Sequence, residues 1–288
     1  MSTSCAKDGK RSTSPFWTRL SIKGKTTTSL KTIFLRSPTG SGWSRYVSWS
    51  TAAPLRARLS TSCNARRTPK VLRVLRETGW TLQNLIIWLK RTSAVPVRNS
   101  FGKQYQIIAF ATKGESPRVF HRLRIDAPLR PEHRQPRKEG VFVTDCWDDI
   151  RELTSGYFAG EEALRTETGE RFHLQQSPLA LLLRIILSSS QVGDWVLDPF
   201  AGTGTTGVVA EQLGRHCVLI ENAPRNVQMI RRRLEVQRPA DSIERWRHYY
   251  RFTPNLEEIW PVDGIPVWGR ETQKVLFEEQ TNPCSLRL

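Results

Sequence analysis

The sequence predicts an α/β protein with a doubly wound, mostly parallel sheet. In the second half of the chain, short apolar segments typical of buried strands alternate with segments of helical spacing. A glycine-rich turn joins one of these strands to the next helix, as in parallel strand–turn–helix units. The 288 residues suffice for one large domain, and no apolar run approaches the about 18 residues that a membrane-spanning helix needs.

The positive charge is concentrated in the first quarter of the chain. The formal net charge is +17, but residues 1–76 hold 16 Lys and Arg against one acid, whereas residues 77–288 hold 28 against 26. An excess of Lys and Arg favours a nucleic-acid partner, because these side chains neutralise phosphates. The five cysteines are far apart and form no CxxC pair, so we expect neither disulfides nor a metal site.

Residues 1–69 form an atypical basic segment rich in Ser and Thr. Residues 1–68 contain 24 Ser and Thr and have no sustained periodicity. Three interpretations are open: a nucleic-acid-binding arm that is disordered when free, a folded unit of unusual composition, or a segment translated in the wrong frame. The abrupt change near residue 70 favours the last. No apolar stretch follows Lys7, Lys10 and Arg11, so we expect no secretory signal and a cytoplasmic protein.

The sequence from residue 70 to about 145 predicts a helix, two strands and an insertion, in that order. The spacing of Leu72 and Leu75 predicts a helix over 71–78, ended by Gly79. Apolar residues predict strands over 85–89 and 105–111. A basic stretch with several prolines, about 115–145, is predicted to be an irregular insertion.

The segment from residue 177 onward predicts a β-turn-α-β-α unit after an apolar helix. Ser177 and Pro178 open that helix, because proline is well accommodated in a first turn. The predicted elements are a helix over 179–187, a strand over 195–197, a helix over 206–213, a strand over 217–220 and a helix over 225–234. Residues 236–288 are a C-terminal extension to which the sequence assigns no role.

The glycine-rich turn is the strongest functional signal in the chain. Asp198-Pro199-Phe200-Ala201-Gly202-Thr203-Gly204 follows a strand, and its glycines allow the backbone to approach a ligand closely. Residues Gly202 to Gly207 also fit GxGxxG, the dinucleotide pattern, and Glu221 after the next strand could hold ribose hydroxyls of either cofactor. Asp198 would repel a pyrophosphate but could accept a hydrogen bond from an ammonium group, which favours a methionine-containing methyl donor. Alternatively, Asp198 only caps the turn and Glu221 is a solvated acid.

Three segments resemble DNA methyltransferases that modify adenine N6 or cytosine N4. Asp198-Pro-Phe-Ala-Gly-Thr-Gly-Thr-Thr resembles their cofactor motif, and His173-Leu-Gln-Gln-Ser-Pro-Leu179 resembles the HPTQKPL segment that precedes it when the catalytic part comes first. Leu85–Lys90 resembles the IIWxK strand, and Tyr105–Lys113 resembles the later strand that closes the sheet. The likeness covers about residues 70–235, which would form the methyltransferase domain.

The resemblance implies a Rossmann-like S-adenosylmethionine-dependent methyltransferase fold and a duplex DNA substrate with a flipped target base. It also makes a restriction endonuclease a candidate partner. The cofactor-binding residues that it implies are Ser177, Asp198, Pro199, Phe200, Gly202, Thr203, Gly204 and Glu221, with Ser177 standing where the family has Lys. In the insertion, Arg118, Arg122, Arg124 and Arg130 would contact DNA, although a solvated basic loop explains them equally well.

The family's catalytic tetrapeptide, [DNS]PP[YF], is absent from the sequence. Methylation of an amino group needs an acceptor for its hydrogen atoms and an aromatic ring that holds the flipped base. The nearest segment is Ser37-Pro38-Thr39-Gly40, which lacks the second proline and the aromatic residue, so Ser37 and Pro38 are weak catalytic candidates. Two main hypotheses follow: an active DNA amino-methyltransferase, or an inactive remnant that only binds cofactor or DNA. A third, an NAD-dependent oxidoreductase, would need a nicotinamide site that the sequence does not supply.

Overall fold

A computed structural model describes residues 33–36, 43–46, 50–51, 58–63, 68–92, 99, 101–102, 104–127, 138–153, 160–173, 176–198, 200–262 and 274–276. The strands are β1 (Ile33–Arg36), β2 (Trp43–Tyr46), β3 (Ser50–Thr51), β4 (Arg58–Cys63), β5 (Thr81–Leu89), β6 (Tyr105–Thr112), β7 (Arg124–Ile125), β8 (Val141–Phe142), β9 (Cys146–Trp147), β10 (Trp195–Asp198), β11 (His216–Ile220) and β12 (Lys274–Leu276). The helices are α1 (Thr68–Glu77), α2 (Leu179–Ser189), α3 (Thr205–Gln212), α4 (Pro224–Glu235) and α5 (Leu256–Ile259). Short 3-10 turns span Pro239–Asp241, Glu244–Trp246 and His248–Tyr250.

The main strands form two neighbouring four-stranded sheets. The first has the order β12-β11-β10-β3, in which β10, β11 and β12 are parallel and β3 is antiparallel to β10. The second has the order β4-β6-β5-β9, and β3 lies beside β4 where the sheets adjoin. Strand β6 is antiparallel to both β4 and β5. Leu89 and Tyr105 are directly paired, so β5 and β6 form a hairpin. The α/β class is confirmed. The described strands of the two sheets are mixed and not mostly parallel, because three pairings are parallel and three are antiparallel.

Each helix and strand predicted between residues 70 and 235 is present in the structure, with boundaries that differ by a few residues. The prediction for the insertion needs correction. The insertion, expected to be irregular, contains the antiparallel pair β7 and β8, joined through Arg124–Phe142 and Ile125–Val141. Strands of two residues are too short to produce the alternation from which a strand is predicted.

Helices cover both faces of the second sheet. Ile108 of β6 belongs to a large core cluster that includes α2, whereas Ala109 and Ala111 pack with Leu75 of α1 and with Trp80. Successive strand residues point to opposite faces, so α1 and α2 lie on opposite sides of the sheet. This is the layered arrangement of a doubly wound α/β protein.

Residues 236–262, to which the sequence assigned no role, contribute to the same core. Tyr250 and Trp260 are among the largest fully buried side chains, and Ile243, Leu256 and Ile259 are buried with them. Burial of large aromatic side chains is a major source of folding free energy. The polypeptide after α4 is therefore integral to the fold as far as residue 262.

The strand ends define two edges of the first sheet. The glycine-rich turn leaves the carboxyl end of β10, which we call the carboxyl edge. Asp194 precedes β10 at the other end, the amino edge, where its Oδ2 lies 2.5 Å from Nη2 of Arg118. Because β10 has four residues, the two ends are about 10 Å apart.

Within the described ranges, no helix has both the length and the apolar character that crossing a membrane requires. In the same ranges, no three His, Cys, Asp or Glu side chains are grouped as metal ligands. Cys217 is a buried free thiol, as its apolar surroundings in the sequence predicted, and burial raises its pKa to about 12.

A buried ion pair connects α2 to the chain on either side of it. Arg184 donates hydrogen bonds to both carboxylate oxygens of Asp149, and its Nε donates to the Tyr250 hydroxyl at 3.1 Å. The Tyr249 hydroxyl donates to Asp149 Oδ2 at 2.8 Å. Burial opposes ionisation of Asp149, but the hydrogen bonds and charge of Arg184, with the Tyr249 hydroxyl, outweigh it and lower the pKa of Asp149.

This lowered pKa predicts a pH-dependent contribution to stability. A carboxylate with a depressed folded-state pKa stabilises the protein above its unfolded pKa of about 3.9 and loses that contribution as the pH falls through the folded-state value. We expect Asp149→Asn to lower the free energy of unfolding by about 2 kcal/mol at pH 7 and by less near pH 3. Denaturant unfolding of both proteins at the two pH values tests this expectation. A difference that is the same at both would contradict it.

Candidate functional site

Two glycines give the turn after β10 its shape. Gly202 and Gly204 have φ angles of +57° and +75°, a left-handed conformation that side chains with a Cβ rarely adopt. At Gly204 a Cβ would also lie 2.9 Å from Cγ1 of Ile230 on α4, so the helix packs directly against the turn. The sequence predicted that glycine lets the backbone lie close to a ligand; at Gly204 the group that lies close to the backbone is Ile230 of the neighbouring helix α4. At Gly202 a Cβ would meet nothing nearer than 3.9 Å, which leaves the backbone there accessible.

Asp198 organises this turn from the inside. Its side chain is buried, with 2% of the residue exposed, at the end of β10. Oδ1 accepts a hydrogen bond from the Phe200 N–H at 3.1 Å, and Oδ2 accepts from the Thr206 hydroxyl at 2.6 Å. The carboxylate thus connects the start of the turn to the first turn of α3, as the turn-capping alternative predicted. Its contact with a bound ammonium group stays a prediction.

Glu221 closes the turn from the end of β11. Oε2 accepts from the Gly202 N–H at 2.8 Å, and Oε1 accepts from the N–H groups of Asn222 and Ala223 at 3.1 and 2.9 Å. A carboxylate offers about four acceptor positions, so in this conformation about one remains for a ligand hydroxyl, on Oε2. Glu221 therefore links the glycine turn to the start of α4 as well as bordering the predicted ribose position.

Phe200 and Thr203 differ in accessibility although they lie on the same turn. Phe200 is 38% exposed, so one part of its ring is open to a ligand. Thr203 is buried, and its hydroxyl lies 3.5 Å from that of Thr205. Of these two predicted cofactor-binding residues, Phe200 alone presents its side chain at the surface. Pro199, predicted with them, lies outside the described residues.

Ser177, half-buried, precedes α2 in a segment held by polar contacts. The Glu162 carboxylate accepts from the Leu179 N–H at 2.6 Å, in the first turn of α2. The neighbouring Gln176 side chain donates to the Glu162 carbonyl and accepts from the Leu164 N–H, both at 2.9 Å. These contacts fix the backbone on both sides of Ser177.

A buried arginine that the sequence analysis missed supports the glycine turn. Arg233 on α4 is 2% exposed, and its Nη1 donates to the Thr203 carbonyl at 2.6 Å. Asp241, which is fully buried, receives both a 2.7 Å and a 3.1 Å hydrogen bond from Arg233. The sequence signal was present, because Arg233 continues the spacing of Val227 and Ile230 on the buried face of α4.

The predicted DNA-contacting arginines lie in different environments. Arg118 is in the ion pair with Asp194 at the amino edge, away from the glycine turn. The guanidinium groups of Arg122 and Arg124 each lie 4.4 Å from the centre of the Phe142 ring. Arg130 lies outside the described residues, as do the catalytic candidates Ser37 and Pro38.

A cavity of about 380 Å³ lies apart from the glycine turn. Its walls include Asn84 and Phe110 of the second sheet, Phe142 of the insertion, and Ser188 and Ser189 at the end of α2. No residue of the glycine turn lines the cavity. The end of α2, which does line it, is followed by the start of β10 at the amino edge. This cavity is therefore separate from the predicted cofactor site.

Comparison with known sequences agrees with the geometry of the turn. A family model described as DNA methylase, of the N6/N4 methyltransferase class, matches residues 56–232. The type II methyltransferase M.HinfI of Haemophilus influenzae is 45% identical over 80 residues, which are 28% of this chain and 22% of that protein. The type II methyltransferase M2.DpnII of Streptococcus pneumoniae is 40% identical over 96 residues, 32% of this chain and 36% of that protein. The aligned segments thus span about a fifth and a third of these relatives.

Solved structures give weaker similarities. The M1.HpyAVI complex with S-adenosylmethionine is 23% identical, with a TM-score of 0.43, covering 62% of this chain and 74% of that one. The PvuII cytosine-N4-specific DNA methyltransferase is 17% identical, with a TM-score of 0.47, covering 64% and 66%. The family match rests on sequence and spans more than half of the chain. The protein belongs to the N6/N4 DNA methylase family.

Proposed function

We propose that this protein transfers a methyl group from S-adenosylmethionine to the exocyclic amino group of adenine N6 or cytosine N4 in specific sites of duplex DNA. The observation that carries the proposal is the glycine turn between the parallel strands β10 and β11, closed by the Gly202–Glu221 hydrogen bond, in a member of this family. Ligands of open α/β sheets bind at the carboxyl ends of the strands, where this turn lies.

The residues at the carboxyl edge fit S-adenosylmethionine. Phe200 offers an exposed ring face for the adenine, and the free acceptor position on Glu221 Oε2 suits a ribose hydroxyl. The open backbone at Gly202 allows the ligand to lie directly on the turn, and Ser177 would border it from the start of α2. When bound, the cofactor supplies an electrophilic methyl group; Asp198 holds the turn that receives it.

Duplex DNA is the proposed macromolecular substrate. Arg122 supports this proposal, because a guanidinium group beside the half-exposed Phe142 ring can contact phosphate while the ring offers a stacking surface. Arg124 lies beside the same ring but is paired with Glu139 at 3.1 Å, so a phosphate contact would have to replace that pair. Arg118 is already paired with Asp194, and we propose no DNA contact for it. A restriction endonuclease partner and a cytoplasmic location follow from the same proposal.

The catalytic groups are proposed to lie before residue 68. No PP dipeptide occurs anywhere in the sequence, so the acceptor of the amino group must come from a different arrangement than the family's tetrapeptide. Ser37 and Pro38 stay the candidates in that part of the chain. The family match gives no support to the alternative of an inactive remnant.

Methyl transfer from labelled S-adenosylmethionine to duplex DNA tests the proposed function directly. We expect the purified full chain to label DNA, with N6-methyladenine or N4-methylcytosine recovered after digestion to nucleosides. Ser37→Ala should reduce the rate of transfer while cofactor binding by calorimetry stays unchanged. Binding without transfer in the unmodified chain would exclude the transferase and leave only the remnant. Absence of binding would exclude the cofactor site as well.

A further inference from the structure

We propose that Asp241, with Arg233 and Arg238, positions the two walls of the cofactor site relative to each other. One wall is the glycine turn after β10, and the other is the segment that contains Ser177 at the start of α2. This inference rests on the proposed function, because it assigns the cofactor-binding geometry to residues that do not touch the ligand. We call the three residues the Asp241 clamp.

The first arm of the clamp holds the glycine turn. Arg233 Nη1 donates to the Thr203 carbonyl at 2.6 Å and lies 3.3 Å from the Thr205 hydroxyl, one residue on either side of Gly204. Arg233 also makes paired hydrogen bonds to both Asp241 oxygens, so its guanidinium plane is fixed. The Thr203 carbonyl is therefore held by a donor that is itself immobile.

The second arm reaches the other wall through Arg238. Its Nε and Nη2 donate to the same Asp241 carboxylate, both at 2.8 Å. Nη2 also donates to the Glu162 carbonyl at 3.1 Å, and Nη1 to the Glu161 carbonyl at 3.4 Å. Glu162 in turn binds the Leu179 N–H and the Gln176 side chain, which flank Ser177.

The clamp thus joins two segments that are far apart in sequence and that the proposed function assigns to one cofactor site. Asp241 is fully buried between two arginines, so each guanidinium is held by charge-assisted hydrogen bonds. Removing one arm should let the two walls move independently. Cofactor affinity should fall because the ligand must then supply the ordering that the clamp supplies in the intact protein.

Arg238→Gln is the variant that separates the two walls with the least disturbance. The Arg238 side chain is 30% exposed, and Asp241 keeps its pair with Arg233. Arg247→Gln is the matched control, because Arg247 also combines an ion pair, to Glu257, with a hydrogen bond to a carbonyl, that of Trp260. Arg247 has no contact with either wall among its hydrogen bonds in the described chain.

Calorimetric binding of S-adenosylmethionine and amide hydrogen exchange, both on the full chain, test the clamp. We expect Arg238→Gln to raise the Kd for S-adenosylmethionine about tenfold, a loss of binding free energy that corresponds to roughly one charge-assisted hydrogen bond. Arg247→Gln should leave the Kd unchanged. Both variants should have similar melting temperatures. In Arg238→Gln alone, exchange should quicken in peptides over 160–179 and 200–206.

The outcomes separate the clamp from the proposed function. Wild-type affinity and wild-type exchange in Arg238→Gln would overturn the clamp, as would an equal loss of affinity in Arg247→Gln. If the unmodified chain fails to bind S-adenosylmethionine, the proposed function fails. In that case amide hydrogen exchange alone tests the clamp. Loss of protection in both 160–179 and 200–206 of Arg238→Gln supports the clamp, and loss of protection in neither segment or in one alone overturns it.

Discussion

Asp198→Ala is expected to lower the affinity for S-adenosylmethionine by about 100-fold and to abolish methyl transfer. The carboxylate accepts hydrogen bonds from the Phe200 N–H, which is part-buried, and from the Thr206 hydroxyl, which is buried, and its removal leaves both donors without this acceptor. Charge-assisted hydrogen bonds contribute about 1.5–3 kcal/mol each, so two of them account for this loss. Calorimetry and methyl transfer on the purified variant measure both effects.

Asp198→Asn separates two roles of this carboxylate. An amide oxygen can still accept from the Phe200 N–H, and the Thr206 hydroxyl can accept from the amide NH₂, so the turn should survive. If Asp198 also binds the ammonium group of the cofactor, the loss of charge should still cost about tenfold or more in affinity. Affinity close to that of the unmodified protein would assign Asp198 to the turn alone.

Asp194→Asn is the control at the other end of β10. Asp194 has the same side chain and also accepts two hydrogen bonds, from Arg118 and from the Gln191 N–H, but it lies at the amino edge. Its loss should lower stability without changing cofactor affinity. Equal losses of affinity in the Asp194 and Asp198 variants would mean that binding weakens because the protein is less stable, and not because the glycine turn has changed shape.

The elements around the glycine turn were predictable because their local signals agree with their environment. The apolar segments that became β10 and β11 are buried at alternate residues, whereas in β5 Trp88 is the one buried residue. The spacing of apolar residues located α2 and α4. The left-handed backbone conformation of the turn requires glycine, so the turn can be predicted from the positions of glycine in the sequence. The positions of Asp198 and Glu221 at strand ends were also evident from the sequence; their contacts with the cofactor stay a prediction.

The parts that were not predicted depend on contacts between distant residues. Asp241 follows α4 in a polar stretch with no periodicity, and nothing local distinguishes it from a solvated acid. It is buried because Arg233 and Arg238 meet it there. The same holds for Glu162, whose partners at the start of α2 lie about 15 residues further along the chain. Local propensity contains no information on such pairs, so only the folded chain reveals them.

Asp198 and Glu221 also have contacts within the protein, beside the ligand contacts that the sequence predicts. The sequence placed both carboxylates beside a ligand, which is where strand-end acids of this fold lie. In the structure most of their acceptor positions are used by the turn itself, by the N–H groups of Phe200, Gly202 and Ala223 among others. A turn with two left-handed residues needs acceptors for its N–H groups, and these acids supply them.

Gly204→Ala is expected to destabilise the protein by about 3 kcal/mol and to prevent cofactor binding. An alanine at φ +75° costs about 1–2 kcal/mol in backbone strain. Its Cβ would also lie 2.9 Å from Cγ1 and 3.2 Å from Cγ2 of the fully buried Ile230, and overpacking of this kind costs about 1–3 kcal/mol. Denaturant unfolding gives the loss of stability, and calorimetry gives the loss of binding.

Gly193→Ala isolates the contribution of backbone strain. Gly193 has a φ of +80°, but a Cβ there would meet no atom within 4 Å, so only the strain of about 1–2 kcal/mol is expected. Ile230→Ala removes both clashing atoms, and in that background the cost of Gly204→Ala should fall towards the Gly193→Ala value, as a double-mutant cycle measures. If Gly204→Ala costs no more than Gly193→Ala in the original background, α4 can yield to the added methyl group. The close packing of α4 would then not be what shapes the glycine turn, and its form would have to come from the hydrogen bonds of Asp198, Glu221 and Arg233 alone.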